Sequence, residues 1–345
     1  MKILLGMSGG VDSSYAAEIL KRNGLDVEGA VLVMHGETDT EGAQEAAKKT
    51  GIPLHVIDCR AEFEREVADY FVREYASGRT PNPCTVCNRA VKFHKLCEYA
   101  TENGFDKIAT GHYADIGCEN GRFFIKKGAD EKKDQSYMLW SLTQNQLSML
   151  HLPLSSLTKA EIKTKAAELG VQAAGKPESQ DICFLPNGSY VDFVRSRFGD
   201  KYADVAKEGD FIDHDGNVLG RHAGIINYTV GQRRGLGIAL GKRMFVSAID
   251  PEKNTVTLMP DGGSYSRKAR ISSLNYQKMN APTDVGVTVN ADIKVRYAAK
   301  PVPAKVTFSG DTAEIEFAEP IRAITPGQSA VAYDGDDVLF GGIFC

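Results

Sequence analysis

The sequence predicts an α/β protein, in which a parallel sheet with helices on both faces is followed by a small β domain and a C-terminal β-barrel. Three observations carry this expectation. Up to about Ala114, short apolar runs alternate with stretches of helical periodicity. The first run feeds a glycine-bearing turn, Ser8-Gly9-Gly10, and beyond Lys207 the helical texture gives way to short alternating runs punctuated by Gly, Pro and Asp-Gly.

Strands are expected at Lys2 to Met7, Val27 to Val33, Ile52 to Ile57 and Lys107 to Thr110, with helices at Asp12 to Asn23, Glu41 to Thr50, Arg60 to Ala76 and Asn88 to Asn103. Pro53 is tolerable because it opens its strand, where no ladder bond is lost. Gly24, Gly51 and Gly104 stand where helix C-caps would. From Asp115 a hairpin is expected around Glu119-Asn120-Gly121, then helices near Gln144 to Leu150, Lys159 to Leu169 and Tyr190 to Arg197. Later runs at Val285 to Val295, Lys305 to Phe308 and Ala313 to Phe317 read as strands, which suggests domains 1–206, 207–264 and 265–345.

The turn Ser8 to Ser14 sits between a strand and a helix start. Unpaired N–H groups and the positive end of the helix dipole point into such a turn, and glycines let a phosphate approach the backbone. The Walker pattern is absent, since the two Gly-Lys pairs run on into Pro177 and Arg243. The order Ser-Gly-Gly-x-Asp-Ser instead resembles the PP-loop of ATP pyrophosphatases, which split ATP into AMP and pyrophosphate and use the AMP to activate a carbonyl oxygen. In parallel sheets ligands collect beyond the C-terminal strand ends, where Ser8 to Ser14, Leu32 to Met34 and Gly111-His112 would lie.

With 345 residues, 42% hydrophobic and 25% charged, the chain reads as a soluble protein of two or three domains. Lys2 and five further residues before Ser8 are too few for a secretion signal, and no run approaches a membrane span, so a cytoplasmic location and no membrane partner are expected. Seven cysteines, an odd number, argue for reduced thiols rather than a disulfide scaffold. The net charge is only −4, yet Arg221 to Lys305 holds 14 Lys or Arg against 5 Asp or Glu. Such a surface suits a phosphate backbone, the alternative being a merely solvated face.

Reactive chemistry concentrates in Thr80 to Asn88, where Cys84 and Cys87 follow two prolines and Cys87 directly precedes the helix expected from Asn88. A cysteine there would have its thiolate stabilised by the helix dipole. Cys183 lies in a second polar loop, and one thiol can attack while the other carries or resolves sulfur. Other readings stay open: a zinc site from Cys84, Cys87, His94 and Cys97, a [4Fe-4S] cluster on Cys84, Cys87 and Cys183, or a thioredoxin-like Cys-x-x-Cys exchanger. Cys59, Cys97, Cys118 and Cys345 read as packing or incidental thiols.

Seven motifs stand in order: Gly6 to Ser13, Asn82-Pro83-Cys84-x-x-Cys87-Asn88, Ala109 to Ala114, Lys133 to Tyr137, Ser179 to Phe184, Gly231 to Gly237 and Thr325 to Ala330. Together they resemble the bacterial tRNA-specific 2-thiouridylases, enzymes that thiolate carbon 2 of the wobble uridine. The resemblance implies ATP with Mg²⁺, its phosphates on Gly6, Met7, Ser8, Gly9, Gly10, Val11, Asp12 and Ser13, and its adenosine near Leu32 or Met34 and Gly111. It implies Cys87 as the nucleophile and Cys183 as the persulfide carrier, charged by a sulfur-relay protein or cysteine desulfurase. Asn82, Pro83 and Cys84 would lie against the target base, and His112, Lys133, Asp134, Gln135, Arg296, Tyr297 and Gln328 would contact tRNA. Two features depart from the family. Cys84 stands where some members carry Asp, which leaves Asp181 as the substitute for proton transfer, and the segment from His35 to Glu41 is short. Another PP-loop ligase or amidase, or a tRNA-binding protein without turnover, remain the competing classes.

Overall fold

The computed structural model describes residues 1–36, 38–169, 182–185, 189–197, 205–260 and 263–345. In its first part, β1 (Lys2–Gly6), β2 (Asp26–Val33), β3 (Leu54–Asp58), β4 (Lys107–Ala109) and the two-residue β7 (Leu150–His151) form one parallel sheet ordered β3-β2-β1-β4-β7. Successive strand residues point to opposite faces, and the packing follows. Ile3 and Leu5 pack into a core shared with Tyr15, Ala16, Ala43 and Ile162, whereas Leu4 joins a second core with Phe71, Phe93 and Ile108. The first core is closed by α1 (Val11–Arg22), α2 (Thr40–Thr50) and Lys159–Glu168, the second by helical runs over residues 60–76 and 83–102. Helices therefore cover both faces, as the alternating pattern predicts.

Local chemistry explains the boundaries. Asp39 caps α2 by accepting from Gly42 N–H (2.8 Å), and Gly51 ends it in the left-handed region. Between β5 (Ala114–Glu119) and β6 (Arg122–Lys127), Asn120 (φ 51°) and Gly121 (φ 78°) make the two-residue turn expected there. The expectation that a helix begins at Asn88 is corrected: it begins at Pro83, whose fixed φ and missing N–H suit the first helical position. Each of the two long runs also contains a π turn, marked by Asp69 N–H donating to Glu64 C=O and Phe93 N–H to Asn88 C=O. Neither turn was legible from periodicity.

The later strands are β8 (Gly209–Ile212), β9 (Val218–His222), β10 (Met244–Asp250) and β11 (Thr255–Pro260), which form a four-stranded sheet around Phe211, Val246 and Leu258. They are followed by β12 (Tyr265–Tyr276), β13 (Thr288–Lys294), β14 (Val302–Ser309), β15 (Thr312–Arg322), β16 (Ser329–Asp334) and β17 (Asp337–Phe344). These six run β12-β15-β14-β13-β16-β17, and pairing of β17 with β12 closes the barrel. The β5–β6 hairpin attaches to β17 through Lys126 opposite Asp337, so it extends the barrel's sheet rather than the parallel one.

The barrel also grips the segment before the 83–102 helix. Thr80 N–H donates to Pro326 C=O (2.8 Å) and Gln328 Nε2 to Thr80 C=O (3.0 Å). Gly327, at φ 91°, lies so close that a Cβ would stand 2.8 Å from Thr80 O. Beside it, fully buried Tyr137 donates to Ser329 C=O (2.9 Å), and Trp140 Nε1 donates to Ser329 Oγ (3.0 Å).

Candidate active site

Strand β1 ends at Gly6, and α1 starts at Val11 after Gly10 in an extended conformation with no side-chain cap. The first N–H groups of α1 are thus left facing the turn, the arrangement an anion needs. Ser13 Oγ accepts from Ser8 N–H (3.2 Å) and donates to Gly10 C=O (3.1 Å), which fixes the loop from within. Gly9 takes φ 73°, and a Cβ there would meet the Gly42 carbonyl carbon at 2.8 Å. Across the loop, a Cβ on Gly111 would stand 3.0 Å from Asp12 C. Gly9 and Gly111 are therefore required by close backbone packing on both sides of the cradle.

Asp12 does not point a free charge at the cradle. Lys159 Nζ donates to both its carboxylate oxygens at 2.7 Å, and Tyr113 OH donates to Oδ1 at 2.6 Å. Lys159 was invisible in the sequence, where its only signal is the capping box of Thr158 and Glu161 around it. Met7 and Val11 are buried among the core side chains. Leu32 too is a core residue of β2, so at the open end of that strand it is Met34, half-buried, that borders the site.

Cys87 lies beside this strand end, its Sγ 3.7 Å from Met34 Sδ. The thiol is buried, and burial pushes it up to about 11 while Lys92 pulls it down. The expectation of a near-neutral thiolate at a helix start is thereby corrected, because the helix begins four residues earlier and Cys84, exposed, occupies its second position. Cys183 is exposed and is held in place by its neighbour Phe184, whose ring packs edge-on against Phe63 (5.3 Å) and Phe71 (5.4 Å). Burial also raises the Cys183 thiol, again opposed by Lys92, and the charge of Cys183 is felt at Cys87. Two thiols far apart in the chain thus lie within electrostatic reach of each other and of one ammonium. Asp181 lies outside the described residues, as do Ser179 and Gln180.

Among the described residues no three His, Cys, Asp or Glu side chains are arranged to hold a metal ion. Cys84, Cys87 and Cys183 therefore do not fit a [4Fe-4S] cluster here, and Cys84, Cys87, His94 and Cys97 do not form a zinc site.

Asn82 precedes the helix as its N-cap residue, its Nδ2 3.6 Å from Met138 Sδ, while Pro83 is buried. His112 Nδ1 lies 2.8 Å from Thr110 Oγ1 and its ring packs at 5.5 Å on Phe93. Burial, with Lys92 nearby, drives its pKa down to about 3, so it is a neutral hydrogen-bonding group. The unfolded chain then binds a proton that the folded one refuses between about pH 6.5 and 3, so stability falls as pH drops through that window. Replacing His112 with Gln is expected to flatten that fall, as measured by denaturant unfolding from pH 7 to 4.

Other positions expected to face tRNA are used within the fold. Asp134 is buried and accepts from Gly128 N–H (3.3 Å), Ser136 N–H (3.1 Å) and Ser136 Oγ (2.8 Å). Gln135 is paired with Tyr113, accepting from its N–H through Oε1 (2.9 Å) and donating its own N–H to its carbonyl (2.8 Å). Lys133 N–H donates to Asp130 C=O (3.0 Å), and Gln328 is the clasp on Thr80 described above. Arg296 and Tyr297 are exposed on the barrel, with Lys294 Nζ 5.5 Å above the Tyr297 ring. Arg296 belongs to a cleft of about 420 Å³ between the central sheet and the barrel, shared with Arg233, Arg243 and Arg322. The Arg322 guanidinium lies 4.3 Å over the Phe245 ring.

Family models match along the chain: a tRNA methyl transferase HUP domain over residues 1–187, a tRNA methyl transferase PRC-barrel domain over 196–260, and an aminomethyltransferase beta-barrel domain over 266–344. The tRNA-specific 2-thiouridylase of Acetivibrio thermocellus is 43% identical, over 99% of this chain and 98% of its own. The chain belongs to the tRNA-specific 2-thiouridylase family. The family's Clostridioides difficile member is 41% identical over 99% of this chain and 97% of its own, and its Synechococcus member 43% identical over 99% and 96%. No described helix is long and apolar enough to cross a membrane.

Proposed function

We propose that this protein is a tRNA-uridine 2-sulfurtransferase of the cytoplasm, which adenylates the carbon-2 oxygen of the wobble uridine with ATP and replaces it with sulfur from a Cys183 persulfide. The observation that carries this reading is Cys87 Sγ lying 3.7 Å from Met34 Sδ at the end of the strand beside the phosphate cradle, with Cys183 near enough for its charge to act on Cys87. The names of the family models mention methyl transfer, but a thiol pair beside an anion-binding turn serves sulfur transfer, and the near full-length relatives are thiouridylases.

In the first step the uridine oxygen attacks the α-phosphorus of ATP and pyrophosphate leaves from the turn Ser8 to Ser14. Carbon 2 now carries AMP as leaving group and is electrophilic. The outer sulfur of the Cys183 persulfide attacks carbon 2 and AMP departs. Cys87 then attacks Cys183 Sγ, which breaks the persulfide S–S bond, leaves the outer sulfur on uridine, and joins Cys87 to Cys183 in a disulfide that an external thiol must reduce. Asp12 is held by Lys159, so a Mg²⁺ would be carried by the triphosphate's own oxygens rather than by a carboxylate of the turn. The target base must leave the stack to reach the site. A sulfur-relay protein or cysteine desulfurase would supply the persulfide sulfur.

Incubation with ATP, Mg²⁺, a sulfide or persulfide source and unmodified tRNA tests this reading, with 2-thiouridine at the wobble position as the product read by mass spectrometry. Absence of both tRNA-dependent pyrophosphate release and thiolated product would overturn it. For binding, the arginine cleft is the proposed seat of backbone phosphates. Arg233→Gln and Arg243→Gln are expected to weaken tRNA binding uniformly across sequences, each lowering the slope of log affinity against log salt by about 1. Filter binding at several salt concentrations reads both effects.

A further inference from the structure

We infer that Lys92 is the positioning cation of the sulfur site: its ammonium, brought onto the Cys87 face of the 83–102 helix by the π turn, favours the anionic forms of the Cys87 and Cys183 sulfurs from which they react. This rests on the sulfur-transfer reading and names a residue that neither the sequence motifs nor that reading singled out.

In a regular α-helix the residue that shares a face with position i is i+4, and i+5 turns away. Here Phe93 N–H bonds back to Asn88 C=O, five residues earlier, so one extra residue is accommodated in the turn that follows Cys87. Lys92 thereby takes the place over Cys87 that the fourth residue would otherwise hold, and Cys84, three residues before Cys87, lies along the same face. The same turn carries buried Asn88, whose Nδ2 donates to Met138 C=O (2.9 Å) and whose Oδ1 has no partner among the described residues.

The surroundings of Lys92 are thiols rather than acids. It is half-buried, and among the described residues no carboxylate pairs with it; the charges acting on it come from Cys84, Cys87 and Cys183. From the loop after β4 it faces His112, which stays neutral. Cys59, the residue before the 60–76 helix, is buried and feels the charges of Lys95, Glu62, Asp58 and Cys87. An ammonium enclosed without a carboxylate is costly unless an anion joins it, and the transient anions of this site are thiolate and persulfide. On ionisation the thiol proton passes to solvent and Lys92 stays protonated, with no bond made or broken at its nitrogen.

The experiment compares Lys92→Met with Lys92→Arg in the intact protein without ATP or tRNA. The pH dependence of iodoacetamide alkylation at Cys87 and Cys183 is read peptide by peptide by mass spectrometry. Lys92→Met is expected to raise the alkylation midpoints by about one pH unit, and Lys92→Arg to restore them to near the original values. Thiolation by Lys92→Met is expected to fall about tenfold at neutral pH and to recover as pH rises. Unchanged midpoints in a folded Lys92→Met protein would overturn the inference; should that variant not fold, Lys92→Gln read in the same way decides. Shifted midpoints in a protein that makes no thiouridine would uphold Lys92 and sink the proposed activity, so the two failures are distinguishable.

Discussion

Replacing Cys87 with serine is expected to abolish thiolation, by about 10³-fold or more, while ATP-dependent pyrophosphate release and tRNA binding persist. The split follows from the order of steps. Adenylation precedes any use of Cys87, and the arginine cleft draws on other residues. A serine hydroxyl cannot attack Cys183 Sγ at neutral pH, so the reaction halts with the tRNA joined to Cys183 through the sulfur already placed on carbon 2. Because Cys87 is buried against Met34, a hydroxyl there is poorly satisfied and is expected to cost about 1–3 kcal/mol of stability. Thermal unfolding therefore accompanies the assay, and Cys87→Ala, which adds no polar atom, controls for that loss. Thiolation retained by either folded variant would remove Cys87 from the mechanism.

The second large effect is expected at Gly9, and Gly10 supplies its contrast. An alanine at Gly9 must hold φ 73° and would place its Cβ 2.8 Å from the backbone of Gly42. Both the loop and the start of α2 would have to move, at a cost of about 1–3 kcal/mol. Displacing the N–H groups of the cradle by even an ångström is expected to reduce pyrophosphate release about 10²-fold. Gly10 holds φ −85°, and its Cβ would meet only Ser8 Oγ at 3.4 Å, so Gly10→Ala should retain most activity. Equal loss from both variants, measured as tRNA-dependent pyrophosphate release, would mean that close packing at Gly9 is not what shapes the turn.

Where a signal was local, the sequence revealed it. Alternating runs marked the five-stranded sheet's main strands, the Asn-Gly pair marked the hairpin, and the glycines of the first turn marked the cradle. What escaped depended on contacts across the chain or on helix registry. Lys159 reaches Asp12 only through the fold, and Lys92 comes over Cys87 only through a π turn that leaves no trace in hydrophobic periodicity. The helix starts ahead of the expected Asn88 because Pro83, one of the two prolines before the cysteines, is itself the first helical residue. The internal role of Asp134 and Gln135, whose side chains hold the loop beside Tyr113 and Gly128, likewise left no local signal.

The clasp between Thr80 and the 326–328 loop, together with the hairpin joined to β17, bears on how this molecule could be divided. Cutting the gene after residue 264 would strip Tyr137 and Trp140 of their Ser329 acceptors and leave Gln277's three partners, Ile125 N–H and the carbonyls of Leu139 and Trp140, open to water. The N-terminal fragment would lose its footing immediately upstream of the reactive cysteines. Exchange of the last 80 or so residues between relatives should therefore succeed only when the loop from Arg79 to Asn82 travels with them, as a matched set.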